Sequence, residues 1–235
     1  MIAPEISGTI QTQDFRRGRT ENFYPEQRAD DMGESSRHNN LRADLFLALD
    51  LFFSKRDDIF MTANMNVYYI EGNSDEWFAP DILIAFGVPN YNRSVYKTWE
   101  EQVFPQVVIE IVSDRTWKTD TKEKLKLYEQ LGAEEYYILD SENGKYLSVP
   151  MLVFGRQDKK LVKKQINGDR VFSPRLDLEI VRTEKSFRFF NPQTNKLLSN
   201  LEESQAEIER LKARIKRLRK VENRLKLKIQ EEKSG

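Results

Sequence analysis

The 235-residue sequence predicts an α/β fold, a mixed sheet flanked by helices, followed by a C-terminal helix that forms a coiled coil. Two nearly continuous apolar runs, residues 80–87 and 105–113, are typical of strands that are covered on both faces. A helical pattern and another apolar run come next, and the order strand, strand, helix, strand favours α/β packing. After about residue 200, apolar residues recur every seven positions, which indicates the coiled coil.

The composition limits the kind of protein that the chain can be. The chain has no cysteine, which excludes a disulfide framework and a thiolate metal site. No apolar run approaches the roughly 20 residues that span a bilayer. The N-terminus also lacks a basic start followed by an apolar stretch. We therefore expect a cytoplasmic protein with no membrane partner.

The charge is distributed unevenly although the formal net charge is zero. Residues 201–235 hold 11 Lys or Arg against 7 Asp or Glu, whereas the rest of the chain holds 27 against 31. The globular part is therefore mildly acidic, and any phosphate-binding surface on it must be local.

The N-terminal third contains a polar arm and the first helix. Residues 1–33 are polar with little periodicity, and we interpret them as an arm that packs irregularly or is partly disordered. A helix is predicted from Ser36, with Ser35 or Ser36 as its cap. Its buried face is marked by residues at helical spacing: His38, Leu41, Leu45, Ala48, Leu49 and Phe52.

The middle of the chain contains the remaining elements of the predicted sheet. Residues 59–70 are rich in aromatic residues, Val and Ile, which favours a strand. A helix is predicted over residues 120–131, closed by Gly132 in the position after its end. Residues 136–140 predict another buried strand, and residues 146–190 predict several short strands.

The C-terminal segment has the pattern of a coiled coil. Two apolar series, offset by three residues, each repeat every seven residues: Leu201, Ile208, Ile215 and Ile229, and Leu211, Leu218 and Leu225. Glu222 interrupts the first series and Ser204 the second. The pattern covers about four heptads and predicts a homodimer formed through this helix. The alternative is a single amphipathic helix that lies back on the domain.

Two acidic residues stand where the local pattern predicts burial. Asp81 follows Pro80 at the start of an apolar strand, and Glu110 lies inside the apolar run 107–112. Burying a carboxylate is costly unless it is paired or bound to a cation. As structural alternatives, Asp81 caps a turn and Glu110 forms a salt bridge within the sheet. Two carboxylates on adjacent buried strands can instead share a hard divalent cation.

Lys124 lies on the helix that follows these strands. Asp120, Lys124, Leu127, Tyr128 and Leu131 form one stripe at helical spacing, which we expect to face the sheet. The alternative is a lysine whose stem packs while its ammonium reaches water. A lysine beside two carboxylates can orient or deprotonate a water and offset phosphate charge, and a cation held there polarises a phosphodiester. Mg²⁺ is the expected ion, because the ligands are carboxylates and cysteine is absent.

These residues belong to a longer set of motifs: Pro80-Asp81, Glu110-Ile111-Val112, Asp120…Lys124…Tyr128 and Gly132-Ala133-Glu134-Glu135-Tyr136. The set resembles the Uma-two family of the PD-(D/E)XK superfamily, from about Met32 to Phe190. The resemblance implies a restriction-endonuclease-like fold with a four-stranded mixed sheet, flanking helices and Mg²⁺-dependent nuclease chemistry. It also implies that Asp81 and Glu110 are metal ligands.

One position departs from the core motif of the superfamily. The superfamily lysine normally stands two residues after the glutamate, where this chain has Val112. The resemblance implies that this family supplies the lysine from the following helix, as Lys124.

The entrance of the first helix adds two candidates for the site. The segment Glu34-Ser35-Ser36-Arg37-His38 resembles the helix entrance of the family. His38 either approaches the metal or the phosphate, or packs and donates a local hydrogen bond. Glu34 is either a third carboxylate of the site or an acid that favours the helix dipole.

We divide the chain into an N-terminal arm (1–33), a PD-(D/E)XK nuclease-like domain (34–195) and a C-terminal coiled coil (196–235). The expected function is a Mg²⁺- or Mn²⁺-dependent endonuclease that hydrolyses phosphodiester bonds of nucleic acid, with DNA as the first expectation. The alternative is a non-catalytic protein of nuclease fold that acts through its coiled coil.

Overall fold

The computed structural model describes residues 23–25, 35–142, 144–184 and 186–234. The helices in these residues are α1 (Ser36–Phe52), α2 (Thr98–Glu101), α3 (Trp117–Leu131) and α4 (Leu201–Ser234). The strands are β1 (Ile59–Ala63), β2 (Val67–Tyr68), β3 (Trp77–Phe78), β4 (Ile82–Phe86), β5 (Tyr96–Lys97), β6 (Val107–Val112), β7 (Glu135–Asp140), β8 (Met151–Gln157), β9 (Lys160–Lys163), β10 (Arg170–Ser173), β11 (Leu178–Arg182), β12 (Phe187–Asn191) and β13 (Lys196–Leu197).

The main sheet is mixed, as the sequence predicts. Its six strands lie in the order β1-β4-β6-β7-β8-β9. Only β6 and β7 run parallel, and α3 provides the crossover between them. The resemblance implied four strands, whereas β8 and β9 extend this sheet as an antiparallel hairpin beyond β7. The strands β10–β13 form a separate antiparallel sheet, and β3-β2-β5 form a third.

Two predicted elements have different boundaries in the structure. The segment 59–70 is divided between two sheets, because Asn64 adopts a left-handed backbone conformation with φ of 51° and ends the first strand. Helix α3 begins at Trp117, three residues before the predicted start. Hydrogen bonds between Ser113 and Thr116 close a turn directly in front of it. Gly132 ends α3 with φ of 104°, as predicted.

The two faces of the main sheet pack against different helices. On one face, Ile82 and Ile109 pack with α1 and with the β10–β13 sheet. On the other face, Leu83 and Val108 pack with α3. Because side chains alternate between the faces of a strand, Glu110 lies on the same face as Val108, next to α3.

Helix α4 leaves the domain after its first turn. Its start is held by a hydrogen bond of 3.2 Å from the Leu201 amide to Asp44 Oδ1 and by an ion pair between Arg188 and Glu203. Every side chain from Gln205 to Lys226 is exposed. The alternative in which this helix lies back on the domain is therefore wrong for these residues. No helix within the described ranges has both the length and the apolarity to cross a membrane.

Candidate active site

Asp81 and Glu110 face each other across two neighbouring strands. In the antiparallel pair β4–β6, Ile82 lies opposite Ile109, and continuing this register by one residue places Asp81 opposite Glu110. The Asp81 amide lies 3.3 Å from Glu110 Oε2, to which it donates a hydrogen bond. The Ile111 amide donates to Asp81 Oδ2 at 2.7 Å. Both residues are buried, with 7% exposure for Asp81 and 2% for Glu110.

Helix α3 brings a lysine and a tyrosine to Glu110. The Lys124 ammonium lies 2.9 Å from Glu110 Oε1, and the Tyr128 hydroxyl donates to the same oxygen at 2.6 Å. Lys124 Nζ is also 3.0 Å from Oδ1 of Asp120, whose side chain is only 1% exposed. The predicted inward stripe of α3 is thus confirmed. One cation lies between two buried carboxylates.

The start of α1 contributes two basic side chains to Asp81. His38 Nε2 lies 2.7 Å from the Ile111 carbonyl oxygen and 3.2 Å from Asp81 Oδ2. Both neighbours accept hydrogen bonds, so this ring nitrogen carries a proton. On the other side, the Arg42 guanidinium donates to Asp81 Oδ1 at 3.2 Å. Both oxygens of Asp81 are therefore held by protein donors.

The local helix geometry explains these positions. Ser35 caps α1 and accepts a hydrogen bond from the His38 amide, which fixes the first turn of the helix beside the end of β6. Arg42 lies four residues after His38 and so projects from the same side of the helix. Asp120 and Lys124 have the same spacing in α3. The site is therefore built from the N-terminal turns of two helices and the facing ends of two strands.

The electrostatic environment shifts the pKa values of the three carboxylates in different directions. Burial raises the pKa of Glu110 to about 8, and the Asp120 and Asp81 carboxylates add to this shift although Lys124 opposes it. Burial also raises the pKa of Asp120. Burial acts in the same direction on Asp81, but the hydrogen bond from His38 and other contacts outweigh it, so its pKa lies below its ordinary value. The site therefore holds one readily ionised carboxylate and two that retain protons more strongly.

The same surroundings stabilise the charged form of Lys124. Burial lowers the pKa of the Lys124 ammonium, but the carboxylates of Glu110 and Asp120 outweigh burial and raise that pKa above its ordinary value. Lys124 therefore remains protonated near neutral pH and supplies positive charge.

Four of these groups line a cleft of about 970 Å³. The lining includes the site residues Asp81, Glu110, Lys124 and His38. The lining also includes aromatic and polar side chains, among them Tyr69, Trp77, Ser113, Arg115 and Thr119. Glu34, the fifth predicted site residue, lies outside the described residues.

The donors in the cleft fit a hard divalent cation. Asp81 Oδ2 and the Ile111 carbonyl oxygen are neighbours, because both lie within 3.2 Å of the same His38 nitrogen. Carboxylate and carbonyl oxygens are typical ligands of such cations. Among the residues that the structure describes, no three His, Asp or Glu side chains form a group that could hold a metal ion. Mg²⁺ needs only one or two carboxylates and keeps several waters, so Asp81 and Glu110 are sufficient in number.

Sequence reasoning did not assign Asp120, Tyr128 or Arg42 to the site. Asp120 and Tyr128 were visible on the inward stripe of α3 together with Lys124, and their shared spacing was the available signal. Arg42 could have been found by its position four residues after His38. The Ile111 backbone groups carried no sequence signal, because every residue has the same amide and carbonyl.

The fold and the site define a class of protein: a mixed α/β domain whose cleft contains facing carboxylates, a lysine and a histidine. More specifically, the chain belongs to the Uma2 family, whose model, described as "Putative restriction endonuclease", matches residues 26–183. The resemblance identified in the sequence is thereby confirmed.

One solved structure that is similar to the chain is described as "a putative nuclease belonging to DUF820 from Anabaena variabilis ATCC 29413". It is 12% identical, with a TM-score of 0.46, and the match covers 61% of this chain and 75% of that chain. No curated protein matches the chain.

Proposed function

We propose that the protein is a metal-dependent endonuclease that hydrolyses phosphodiester bonds of nucleic acid, with DNA as the substrate and Mg²⁺ or Mn²⁺ as the metal. The observation that carries this proposal is the position of Asp81 opposite Glu110, with the Lys124 ammonium 2.9 Å from Glu110. Membership of a family whose description is "Putative restriction endonuclease" supports a nuclease function in general. A cytoplasmic location belongs to the same proposal.

The residues of the cleft have distinct roles in this proposal. Asp81 and Glu110 would hold the metal, and the Ile111 carbonyl oxygen, which already accepts a hydrogen bond from His38, would have one lone pair left for it. When bound, the metal supplies polarisation of the scissile phosphate and lowers the pKa of water. Lys124 stays protonated, so it offsets negative charge on the phosphate and orients water rather than removing a proton from it. His38 and Arg42 act by positioning the Asp81 carboxylate.

The proposal is tested by incubating the full-length protein with supercoiled plasmid in Mg²⁺, in Mn²⁺ and in EDTA. We expect nicked or linear product with either metal and none with EDTA. An Asp81→Asn preparation purified in parallel detects any contaminating nuclease, because it lacks a proposed metal ligand and should leave the plasmid intact. Equal cleavage by both preparations, or none by the wild type with any metal or nucleic acid, would contradict the proposal.

A non-catalytic role is the alternative, and one observation favours it. Both oxygens of Asp81 already accept hydrogen bonds from Ile111, His38 or Arg42, as in a purely structural carboxylate. In that case calorimetry would detect no Mn²⁺ binding, and Lys124→Met would change only stability. Mn²⁺ binding that is lost in Asp81→Asn would exclude this alternative.

We further propose that α4 pairs with α4 of a second copy of the chain to form a coiled coil. The stripe of a and d residues is 45–59% exposed along the helix, from Leu201 at 45% to Leu218 at 59%. An apolar stripe of this length gains stability when it is buried against a partner helix. A dimer would bring two clefts together in one assembly.

A further inference from the structure

The middle of α4 carries a concentrated positive charge. Between residues 210 and 226 the sequence has nine Lys or Arg and one acidic residue, Glu222. All side chains of this segment, which we call the basic segment, are exposed. Seventeen helical residues extend over roughly 25 Å, so the charge density is far higher than elsewhere in this nearly neutral chain.

Most of these cations are not neutralised by the helix itself. Arg210 pairs with Glu207 at 3.6 Å, Lys212 with Glu209 at 2.7 Å, and Lys226 with Glu222 at 2.6 Å. The other six form no ion pair with any carboxylate in the described part of the chain: Arg214, Lys216, Arg217, Arg219, Lys220 and Arg224. The basic segment therefore presents unpaired positive charge to solvent.

The arrangement of the charges around the helix indicates what kind of partner it fits. With Leu211 and Leu218 at d, five of the nine cations occupy the b, c and f positions, which face away from a coiled-coil seam: Arg210, Lys216, Arg217, Lys220 and Arg224. An acidic partner helix would approach only the e and g positions. A polyanion that contacts the outer surface of the helix reaches the cations on the b, c and f positions as well.

One pair of cations at the e and g positions leads to the same conclusion. In a parallel pair of α4 helices, Arg214 at g would face Arg219 at e of the second copy, which is a repulsive contact. A bound polyanion would relieve this repulsion. The rest of the chain cannot attract phosphate in the same way, because it is mildly acidic and five carboxylates line its cleft: Asp81, Glu110, Asp114, Glu123 and Glu142.

We propose that the basic segment of α4 binds the phosphate backbone of nucleic acid and so supplies the affinity for substrate that the acidic cleft lacks. This inference rests on the proposed function in taking nucleic acid as the ligand. Lys and Arg that contact phosphates release counterions, so binding weakens steeply with salt and is largely independent of base sequence.

The test uses the full-length protein in EDTA, so that the duplex DNA is bound without being cleaved. Four outward cations are changed together: Lys216→Gln, Arg217→Gln, Lys220→Gln and Arg224→Gln. Glutamine keeps a good helix propensity, and no a, d, e or g position changes. The control removes the same number of charges from exposed positions of the domain: Lys55→Gln, Lys159→Gln, Lys160→Gln and Lys196→Gln.

The variant with the four outward cations of the basic segment changed is called the tail variant. We expect it to lose about tenfold or more in affinity for a fluorescent duplex. The slope of its log affinity against log salt concentration should be shallower by about 2 or more, since each phosphate contact contributes about 0.9 to that slope. The control variant should bind like the wild type. Circular dichroism and light scattering verify that both variants keep the helix and the oligomeric state of the wild type. Equal losses in both variants, or none in either, would overturn the inference.

Further outcomes separate this inference from the proposed function. If the tail variant alone loses DNA binding while the wild type cleaves nothing with Mg²⁺ or Mn²⁺, the inference stands and the nuclease proposal fails. If the wild type cleaves DNA and the tail variant binds and cleaves equally well, the inference fails and the nuclease proposal stands. Tail-dependent binding of anionic vesicles or of an acidic helical peptide, with no tail-dependent binding of DNA, would also overturn the inference.

Discussion

The Lys124 ammonium lies 2.9 Å from Glu110 Oε1 and 3.0 Å from Asp120 Oδ1, so a single half-buried cation serves two buried carboxylates. Asp81 lies opposite Glu110 in the sheet and adds a third carboxylate, which Arg42 partly compensates. This excess of negative charge in a buried cleft favours uptake of a proton or of a metal cation.

Removing either facing carboxylate should abolish metal-dependent activity. We expect Asp81→Asn and Glu110→Gln each to reduce plasmid cleavage by about 10³-fold or more, in line with the loss of a main electrostatic contribution to catalysis. Each variant should also lose calorimetric Mn²⁺ binding and the increase in Tm that Mn²⁺ gives the wild type. The control is Asp50→Asn, an exposed carboxylate on α1, which should behave like the wild type.

Lys124 should matter for cleavage more than for metal binding. Lys124→Met removes the positive charge near the phosphate, and we expect cleavage to fall by about 10²-fold with Mn²⁺ binding retained. The variant should also lose about 3 kcal/mol of stability in the metal-free state, because two buried carboxylates lose their partner. Lys126→Met, an exposed change on the same helix, serves as the control. Unchanged cleavage in Lys124→Met would restrict this lysine to a structural role.

The metal-free protein should become less stable as the pH rises. The pKa of Glu110 is raised from 4.5 to about 8 in the folded protein, so the folded state binds this proton more tightly than the unfolded state. The resulting stabilisation is complete below pH 4.5 and is lost as the pH passes about 8. Urea unfolding in EDTA across this range should therefore show a smaller decline for Glu110→Gln than for the wild type. Parallel curves for the two proteins would contradict the assignment.

We expect Mg²⁺ to take the place of the Glu110 proton as the pH rises. At high pH the Glu110 carboxylate is ionised, and bound Mg²⁺ compensates its charge as the proton does at lower pH. We expect added Mg²⁺ to raise the Tm of the wild type most at high pH and least at low pH, where protons compete for the same oxygens. Differential scanning fluorimetry at several pH values, with Glu110→Gln as the reference, measures this difference.

Helix α4 should determine the oligomeric state. We expect a dimer by light scattering and a monomer after truncation at Asn200, because the exposed a and d stripe then has no partner to bury. Charged substitutions in the seam, Leu211→Asp and Leu218→Asp together, should also give a monomer. The matched pair Lys216→Asp and Lys220→Asp lies outside the seam and should remain dimeric. An unchanged mass for the truncated chain would contradict this prediction.

The local elements were predicted well because their signals are local. The apolar run around Glu110 predicts a strand buried on both faces, and all six residues of β6 are buried. The inward stripe of α3 and its end at Gly132 follow from helical periodicity and from the freedom of glycine at positive φ. Burial of His38 on the inner face of α1 was predicted in the same way.

Contacts between elements that are distant in the sequence were harder to predict. The break at Asn64, which sends the two halves of segment 59–70 into different sheets, has no counterpart in the apolar pattern. The contact between Arg42 and Asp81 joins residues 39 positions apart and depends on how α1 docks on the sheet. Such contacts are set by the packing of several elements at once, so no single segment encodes them.

By itself the sequence determined which residues have charge in a buried setting, since a period of two or of 3.6 residues assigns each side chain to a face of its own element. Only the tertiary structure decided that Asp81 stands opposite Glu110, and that Lys124 and His38 reach the same cleft from different helices. The register of β4 against β6 places the two carboxylates, and that register is fixed by pairing between strands rather than within one. The tertiary structure likewise decided that the domain leaves the apolar stripe of α4 uncovered, because the helix departs from it after one turn.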